Sequence, residues 1–373
     1  MRIGITYNLK TDQAPSLQAK LPEDLHEEFD QPETIQAIKK VLSSDGHEVH
    51  LLGSNFGIAP SAKIRTDPSF DGQGLSRSYG INSIDGIAEK IKRSQIDFVF
   101  NIAEGFYGRS REAQIPALLE SLGVPYSGSD PLGVAVTLDK SLAKRIASSA
   151  GIPTPEFWTL DHINDLGKIP KRFPLFVKPL WQGSSMGIKQ SSRVENPSQL
   201  KREAGRLFGQ YPDDPVLVEE YITGREFTAG LVGNKSPEVL GVMEIAFRSP
   251  EKPDFCYSIE VKRNWRAEVE YHVPPRINRR QEQKIEETSV ELFRILRLRD
   301  FARFDFRMDA KDKLYFLEVN PLAGLSPESS DLVIMIRKKG MSYEELILRI
   351  LHSAFERYPK LGRMKTKEEA RRG

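Results

Sequence analysis

Seven consecutive residues, Arg303-Phe304-Asp305-Phe306-Arg307-Met308-Asp309, alternate polar and apolar without a break. A period of two marks a strand with one buried face. A second run, Leu314–Asn320, follows after Ala310–Lys313. Together they predict an antiparallel hairpin with a four-residue loop, pairing Asp309 with Leu314. That register sets Asp305 opposite Glu318 and Arg303 opposite Asn320, so two carboxylates and an amide oxygen converge. Like charges directly opposed destabilise a sheet unless a cation lies between them. Oxygen ligands at this density suit Mg²⁺, which keeps waters and is completed by phosphates. The same pattern has a second reading, a solvated hairpin face on which Arg303 neutralises both acids.

The rest of the chain divides into two habits. Over the first 130 residues strands and helices alternate: Arg2–Thr6, a helix carrying Ile35, Ile38 and Leu42, Glu48–Leu52, and the apolar run Asp97–Ile102. This predicts a parallel sheet. Asp30 and Glu33 have capping-box spacing ahead of the helix, and Gly46 reads as its stop. Residues 55–80 are rich in Gly, Ser and Pro, show no period and read as a long surface loop. Pro131–Gly151 reads as one helix, and Pro153 and Pro155 break the chain behind it. From about 170 onward the strands crowd together: Leu175–Lys178, Val216–Tyr221, Glu226–Val232, Glu238–Ile245, Arg303–Asp309 and Leu314–Val319. One long helix near 278–297 interrupts them, an α+β habit. Ser342 and Glu345 cap a last helix bearing Leu346, Ile347, Ile350 and Leu351.

Composition narrows the function. With 373 residues, two or three domains are expected. The 54 Lys+Arg against 52 Asp+Glu leave a net charge of +2, which argues against a general nucleic-acid or lipid-binding field. The basic tail Lys360–Arg372 lacks interleaved aromatics and reads as a solvated terminus. No run approaches a membrane span. MRIGITYNLK is far short of a signal peptide. The single cysteine, Cys256, excludes an internal disulfide and fits a reducing cytosol. A cytoplasmic α/β protein is expected, with neither nucleic acid nor membrane as partner.

Several apparent motifs carry nothing. Gly183-Ser184-Ser185-Met186-Gly187 matches the hydrolase nucleophile elbow, but Ile188–Ser192 reads as strand-like where the elbow needs a helix. His47 and His50 fall on a predicted strand, where i and i+3 point apart. No G-x-G-x-x-G follows the first strand. More productive is Lys178 at a strand end, followed by the Gly183-Ser184-Ser185 turn. Such a turn can aim N–H groups and hydroxyls at phosphate oxygens, with Lys178 as a point charge. Glu219-Glu220-Tyr221-Ile222, ending another strand, reads either as a nucleoside edge or as a plain edge strand.

Taken in order, these features resemble the ATP-grasp family. They are the strand-ending Lys178, the Gly-Ser turn, Glu-Glu-Tyr-Ile before Gly224-Arg225-Glu226-Phe227, then Asp305 and Glu318-Val319-Asn320. Within it the chain looks like the D-alanine–D-alanine ligase branch, from about Phe98 to Phe355. The match includes Gly123-Val124-Pro125-Tyr126-Ser127-Gly128-Ser129, Leu138-Asp139-Lys140, Phe176-Val177-Lys178-Pro179 and Asn320 through Gly324.

The resemblance implies an ATP-grasp fold behind an N-terminal Rossmann-like α/β domain. It divides the chain into residues 1–133, a lid subdomain 134–223, a catalytic subdomain 224–357 and the tail 358–373. It implies Lys140 and Lys178 on ATP phosphates, Ser185 in the phosphate turn, Glu219, Glu220, Tyr221 and Ile222 at adenine, and Glu226 on ribose. Asp305, Glu318 and Asn320 would carry two Mg²⁺, with Mn²⁺ the alternative ion. Arg303 and the Gly324 N–H would hold the oxyanion. Ser329 would bind the second substrate's carboxylate, Ser184 would belong to the lid, and Lys262 would reach the transferred phosphate. Glu28 is the candidate for the first substrate's ammonium, with Glu27 or Asp30 as alternatives, and Glu104 sits beside it. The implied reaction is ATP-dependent ligation of a carboxylate to an amine through an acyl phosphate, with amino acids as substrates and a homodimer as the family's assembly.

The chain also departs from that pattern. Glu104-Gly105-Phe106-Tyr107 stands where these ligases have a His-Gly turn, Gln182 replaces a glutamate, and Arg263 replaces the tyrosine after the loop lysine. Asn8–Asp30 lacks the Gly-Gly-x-Ser-x-Glu pattern. The changes gather around the first substrate and the lid. They leave open a different acid and amine pair, or a nucleotide-binding protein without catalysis.

Overall fold

A computed structural model describes residues 1–10, 24, 27–53, 84–105, 108–248, 258–359 and 361. The expected 55–80 loop, Cys256, Phe106, Tyr107 and nearly all of the basic tail lie outside these residues. Three sheets carry the chain. The first is parallel, in order β2-β1-β3, from β1 (Arg2–Thr6), β2 (Glu48–Leu51) and β3 (Phe98–Asn101). Helices α1 (Pro32–Ser44), α2 (Ile84–Arg93) and α3 (Gln114–Ser121) accompany it. Glu33 lies in the first turn of α1, but Gln31, not Asp30, is the N-cap residue, without a side-chain cap. Pro32 at N1 has no N–H to satisfy, which weakens the need for a box.

The expected helix Pro131–Gly151 is two helices, α4 (Pro131–Leu138) and α5 (Lys140–Ser149). Asp139 turns extended between them, and its carboxylate accepts from the N–H groups of Ser141 and Leu142. A side chain that caps so well competes with helix continuation. The break puts Lys140 in the first turn of α5.

The second sheet runs β4-β7-β5-β6, from β4 (Phe157–Leu160), β5 (Leu175–Pro179), β6 (Arg193–Val194) and β7 (Val216–Glu220). Its helix α6 (Pro197–Gln210), capped by Asn196 and started by Pro197, was not anticipated. β7 lies between β4 and β5 and is therefore no edge strand. Residues 188–192 form no strand either: Gln190–Ser192 is a short 3₁₀ turn. No α-helix follows the Gly-Ser turn directly, so the hydrolase elbow remains absent.

The third sheet is antiparallel, β10-β9-β8-β11-β12, built from β8 (Arg225–Gly233), β9 (Glu238–Phe247), β10 (Val269–His272), β11 (Asp300–Met308) and β12 (Leu314–Asn320). Two short helices, α7 (Ile259–Arg263) and α8 (Trp265–Glu268), precede β10, and α9 (Arg279–Ile295) precedes β11. Alternation along β8 and β11 sends Phe227, Ala229, Leu231, Phe304 and Phe306 into a core with α5 and α9. Each buried phenylalanine contributes about 2 kcal/mol. The opposite face carries Thr228, Arg303, Asp305 and Arg307. Helix α10 (Asp331–Lys338) closes over part of it at Gly230, where a Cβ would lie 2.4 Å from Leu332.

The hairpin is one residue longer in its loop than expected. Met308, not Asp309, pairs with Leu314, and a bulge between Asp305 and Phe306 restores the expected partners Asp305–Glu318 and Arg303–Asn320. Bulges re-aim side chains in this way beside functional sites. Finally α11 (Tyr343–Glu356) buries Leu346, Ile347, Ile350 and Leu351 against Ile3, Phe98 and Phe301. It ties the first sheet to the third. No helix among the described residues is long and apolar enough to cross a membrane.

Candidate active site

Two adjoining chambers open where the sheets meet. The smaller, about 110 Å³, lies between β5, β7 and the face of β8, β11 and β12. The larger, about 330 Å³, lies between the hairpin and the N-terminal segment around Glu28. Ser184, Lys262, Arg303, Glu318 and Asp331 line both and form the wall between them. Every candidate residue named from the sequence lines one chamber or the other.

The smaller chamber holds Lys178, Ser185, Glu219, Glu220, Tyr221, Ile222, Glu226 and Asp305. Register places Phe176 opposite Glu219 in the β5–β7 pair, so Lys178, two residues on, shares the Glu219 face. Lys178 Nζ lies 2.9 Å from Glu219 Oε1 and 3.7 Å from Glu318. Lys144, one helical turn beyond Lys140, sits 3.0 Å from Glu219 Oε2 and is fully buried. Burial pushes the Glu219 carboxyl up, but Lys144 and Lys178 outweigh it and hold the group at about 2. At Lys144 burial wins and brings the ammonium down to about 8, against the attraction of Glu219. The Glu219 side chain is thus committed to two lysines. What remains open at this strand end is the edge from Glu220 to Ile222.

Glu226 faces Arg307 across the β8–β11 pair at 3.1 Å, and Arg307 also donates to the Ile222 carbonyl at 2.8 Å. The guanidinium groups of Arg193 and Arg307 lie over the Tyr221 ring, 4.7 and 4.8 Å from its centre. The turn residues Ser184 and Ser185 both have left-handed φ values, 49° and 61°. Successive left-handed residues turn backbone N–H groups into a concavity that fits anions.

On the hairpin, Arg303 donates to both oxygens of Asp305, at 3.1 and 2.9 Å, and its far nitrogen lies 3.6 Å from Asp331. Thr228 donates to Asp305 at 2.7 Å, and Asn320 Nδ2 approaches it at 3.2 Å. Burial opposes ionisation of Glu318, yet Lys140, Lys178 and Arg303 keep its carboxyl below the usual range. Among the described residues no three His, Cys, Asp or Glu side chains cluster as a metal cage. Two carboxylates and an amide on one face are a partial shell. Such a shell fits a hard cation that takes its other ligands from water and phosphate.

The larger chamber holds Lys140, Asn320, Gly324, Ser329, Glu28 and Glu104. Lys140 Nζ donates to the Gln182 carbonyl, and burial lowers its pKa. Gly324 approaches Ser330 so closely that a Cβ would lie 2.9 Å from its hydroxyl. Ser329 is exposed and bonds Ser326 at 3.0 Å. Glu28 is gripped by Arg111 at 2.9 and 2.8 Å and by the Gly183 N–H at 2.6 Å. Gln182 turns away from the chamber to Asp214. Arg263 bonds Glu27 at 3.0 and 2.7 Å, tying the segment that carries Lys262 to the N-terminal strap.

Sequence reasoning missed Lys144, Arg307, Asp331, Arg111 and Glu112. Lys144 had a signal in its i+4 spacing from Lys140, and Arg307 in sharing the face of Arg303 and Asp305. Nothing local marked Arg111, whose partner is 83 residues away.

Two sheets closing on a chamber of lysines and acids, with an oxygen-rich hairpin at its mouth, define an ATP-grasp enzyme. Residues 146–352 match the family model described as D-ala D-ala ligase C-terminus. A protein of Sinorhizobium fredii, named uncharacterized protein y4sG, is 37% identical over 70% of this chain and 75% of its own length. D-alanine–D-alanine ligase of Aquifex aeolicus is 35% identical over 70% of this chain and 84% of its own. The structure of D-alanine–D-alanine ligase from Bacillus anthracis complexed with ATP superposes with a TM-score of 0.65 at 20% identity. It covers 96% of this chain and 99% of that one. The chain belongs to the D-alanine–D-alanine ligase family of ATP-dependent carboxylate–amine ligases. Membership carries ATP use and dependence on a metal ion.

Proposed function

We propose that this chain joins two amino acids, with ATP in the smaller chamber and both amino acids in the larger, and that D-alanine is among its substrates. The observation that carries this reading is the shared wall of Ser184, Lys262, Arg303, Glu318 and Asp331, across which the chambers meet. A carboxylate oxygen on one side attacks the terminal phosphorus, the bond to ADP breaks, and an acyl phosphate forms. The second amino acid's nitrogen, having lost a proton, attacks the carbonyl carbon, and phosphate leaves. Neither step needs an enzyme nucleophile.

Lys140 and Lys178 face the phosphates, with Ser185 in the turn above them. The edge from Glu219 to Ile222 takes the adenine and Glu226 the ribose. Asp305, Glu318 and Asn320 would hold two Mg²⁺, or Mn²⁺ in their place. When bound, such ions neutralise charge on the phosphoryl oxygens. Arg303 and the Gly324 N–H stabilise the tetrahedral oxyanion, a term of about 10²–10³ in rate for one such donor. Ser329 takes the second amino acid's carboxylate. Ser184 and Lys262 close over the site and keep water from the acyl phosphate. The names of the Aquifex and Bacillus relatives support D-alanine.

The test is phosphate release from MgATP with D-alanine as the only amino acid, followed by product mass. A D-alanyl-D-alanine mass is expected. If D-alanine and every other amino acid leave phosphate release at its ATP-only rate, the ligase reading is wrong.

A further inference from the structure

The larger chamber has a cationic side and an acidic side. Lys140, Lys262 and Arg303 lie towards the shared wall, where a reacting carboxylate must sit to meet the phosphate. On the far side are five carboxylates, Glu27, Glu28, Asp30, Glu104 and Glu112, of which Glu27 is paired with Arg263 and Lys10. Glu28 is already matched, by the two-pronged grip of Arg111 and the Gly183 N–H. The other three have no hydrogen-bond partner among the described residues. Glu112 is only 8% exposed and lines the chamber. Its place is fixed by the left-handed turn at Gly105, whose backbone lies so close to Arg111 that a Cβ would be 2.4 Å from the Arg111 carbonyl. Glu104 and Glu112 are thereby brought to the same side, and each is repelled by Glu28.

A buried carboxylate without a partner costs several kcal/mol when charged, unless a ligand supplies the opposite charge. The α-ammonium of an ordinary amino acid supplies one such charge, enough for Asp30. It leaves Glu104 and Glu112 sharing the nearby Arg111, whose hydrogen bonds go to Glu28, with Lys140 acting on Glu112 as well. On the ligase reading above, we propose that the carboxylate-donating substrate is a diamino acid, with its side-chain ammonium seated between Glu104 and Glu112. Burial holds both carboxyls above the usual range, helped by Glu112 and Glu28 at Glu104 and by Glu28 at Glu112, against the pull of Arg111 on each and of Lys140 on Glu112. The departure at Glu104 then selects the substrate and leaves the chemistry as it is.

The experiment compares kcat/KM for phosphate release from MgATP. The donors are D-2,3-diaminopropionate, D-ornithine and D-alanine, each with D-alanine as the second amino acid and the product assigned by mass. We expect a diamino acid to exceed D-alanine as donor at least 10-fold. Glu112→Gln and Glu104→Gln should each bring that ratio close to one, mainly through KM for the diamino acid. ATP binding by each variant checks that it is folded. D-alanine turning over as well as or better than both diamino acids overturns the inference and leaves the ligase reading intact. A ratio unchanged in both folded variants also overturns it. No stimulation by any donor defeats the ligase reading itself.

Discussion

The two chambers are made of the same residue types but differ in how their charges are matched. In the smaller one, the sheets and α5 supply its central charges with partners. Glu219 is held between Lys144 and Lys178, Glu226 faces Arg307 across a strand pair, and Asp305 is gripped by Arg303. The geometry is therefore set before any ligand arrives, as electrostatic preorganisation requires. In the larger one, the Asp30, Glu104 and Glu112 carboxylates have no hydrogen-bonded partner among the described residues, though Arg111 attracts Glu104 and Glu112 and Lys140 attracts Glu112. A fixed cosubstrate permits the first design. On the inference above, specificity for a particular acid lies in the second.

The largest expected effect is at the wall itself. Arg303→Ala should lower kcat by about 10³, because on the proposed reading one side chain serves both the oxyanion and the placement of Asp305. ATP affinity, measured by calorimetry, should change far less. An equal loss in both would move Arg303 from the wall to the nucleotide side.

Next comes the buried Lys144–Glu219–Lys178 group. The Glu219 carboxyl sits at about 2 against an ordinary 4.5, so its stabilisation is full above 4.5 and is lost as pH falls towards 2. That is about 3 kcal/mol in order of magnitude. Lys144→Met should cost a similar amount, since it leaves a buried charge half-matched, and should flatten the acid limb of a melting-temperature curve. A variant that melts like the parent at pH 3 and pH 7 alike would break the contrast between chambers.

The larger chamber should behave in the opposite sense. Burial raises the Glu112 carboxyl to about 7, so the folded chain keeps a proton that the unfolded chain has released above 4.5. Stability should therefore fall as pH rises from 4.5 to 7. Glu112→Gln should remove that fall and raise the melting temperature at pH 8 by a few degrees. A lower melting temperature there would mean that Glu112 is matched after all.

The smallest effect is at the strap. Arg263 is half-exposed in its pair with Glu27, and such pairs are worth about 0.5 kcal/mol. Arg263→Ala should leave stability nearly unchanged and raise KM for the amino acids a few-fold, more at low salt than at high.

Legibility in the sequence follows the same divide. Strict alternation in β11 and β12 made the facing of Asp305 and Glu318 readable, even though the loop length was off by one and a bulge restored the register. Periodic apolar residues gave α9 and α11. Asp139 hid a helix break because its capping role depends on conformation, and α6 was masked by Gly205 and Gly209 within it. The nucleotide side could be read because its residues sit at strand ends in fixed order. The far side of the larger chamber could not. Arg111 and Glu112, neighbours in the chain, meet Glu28 only through tertiary folding, and no spacing announces that Arg111 will hydrogen-bond Glu28.

The most direct test of the two-chamber account is isotope transfer. The amino acid donor, D-alanine or the diamino acid that turns over, is labelled with ¹⁸O in its carboxylate. Phosphate released during turnover with MgATP is then weighed by mass spectrometry. The account predicts one ¹⁸O in each phosphate, carried from the carboxylate across the wall at Arg303. Unlabelled phosphate accompanying peptide formation would contradict it.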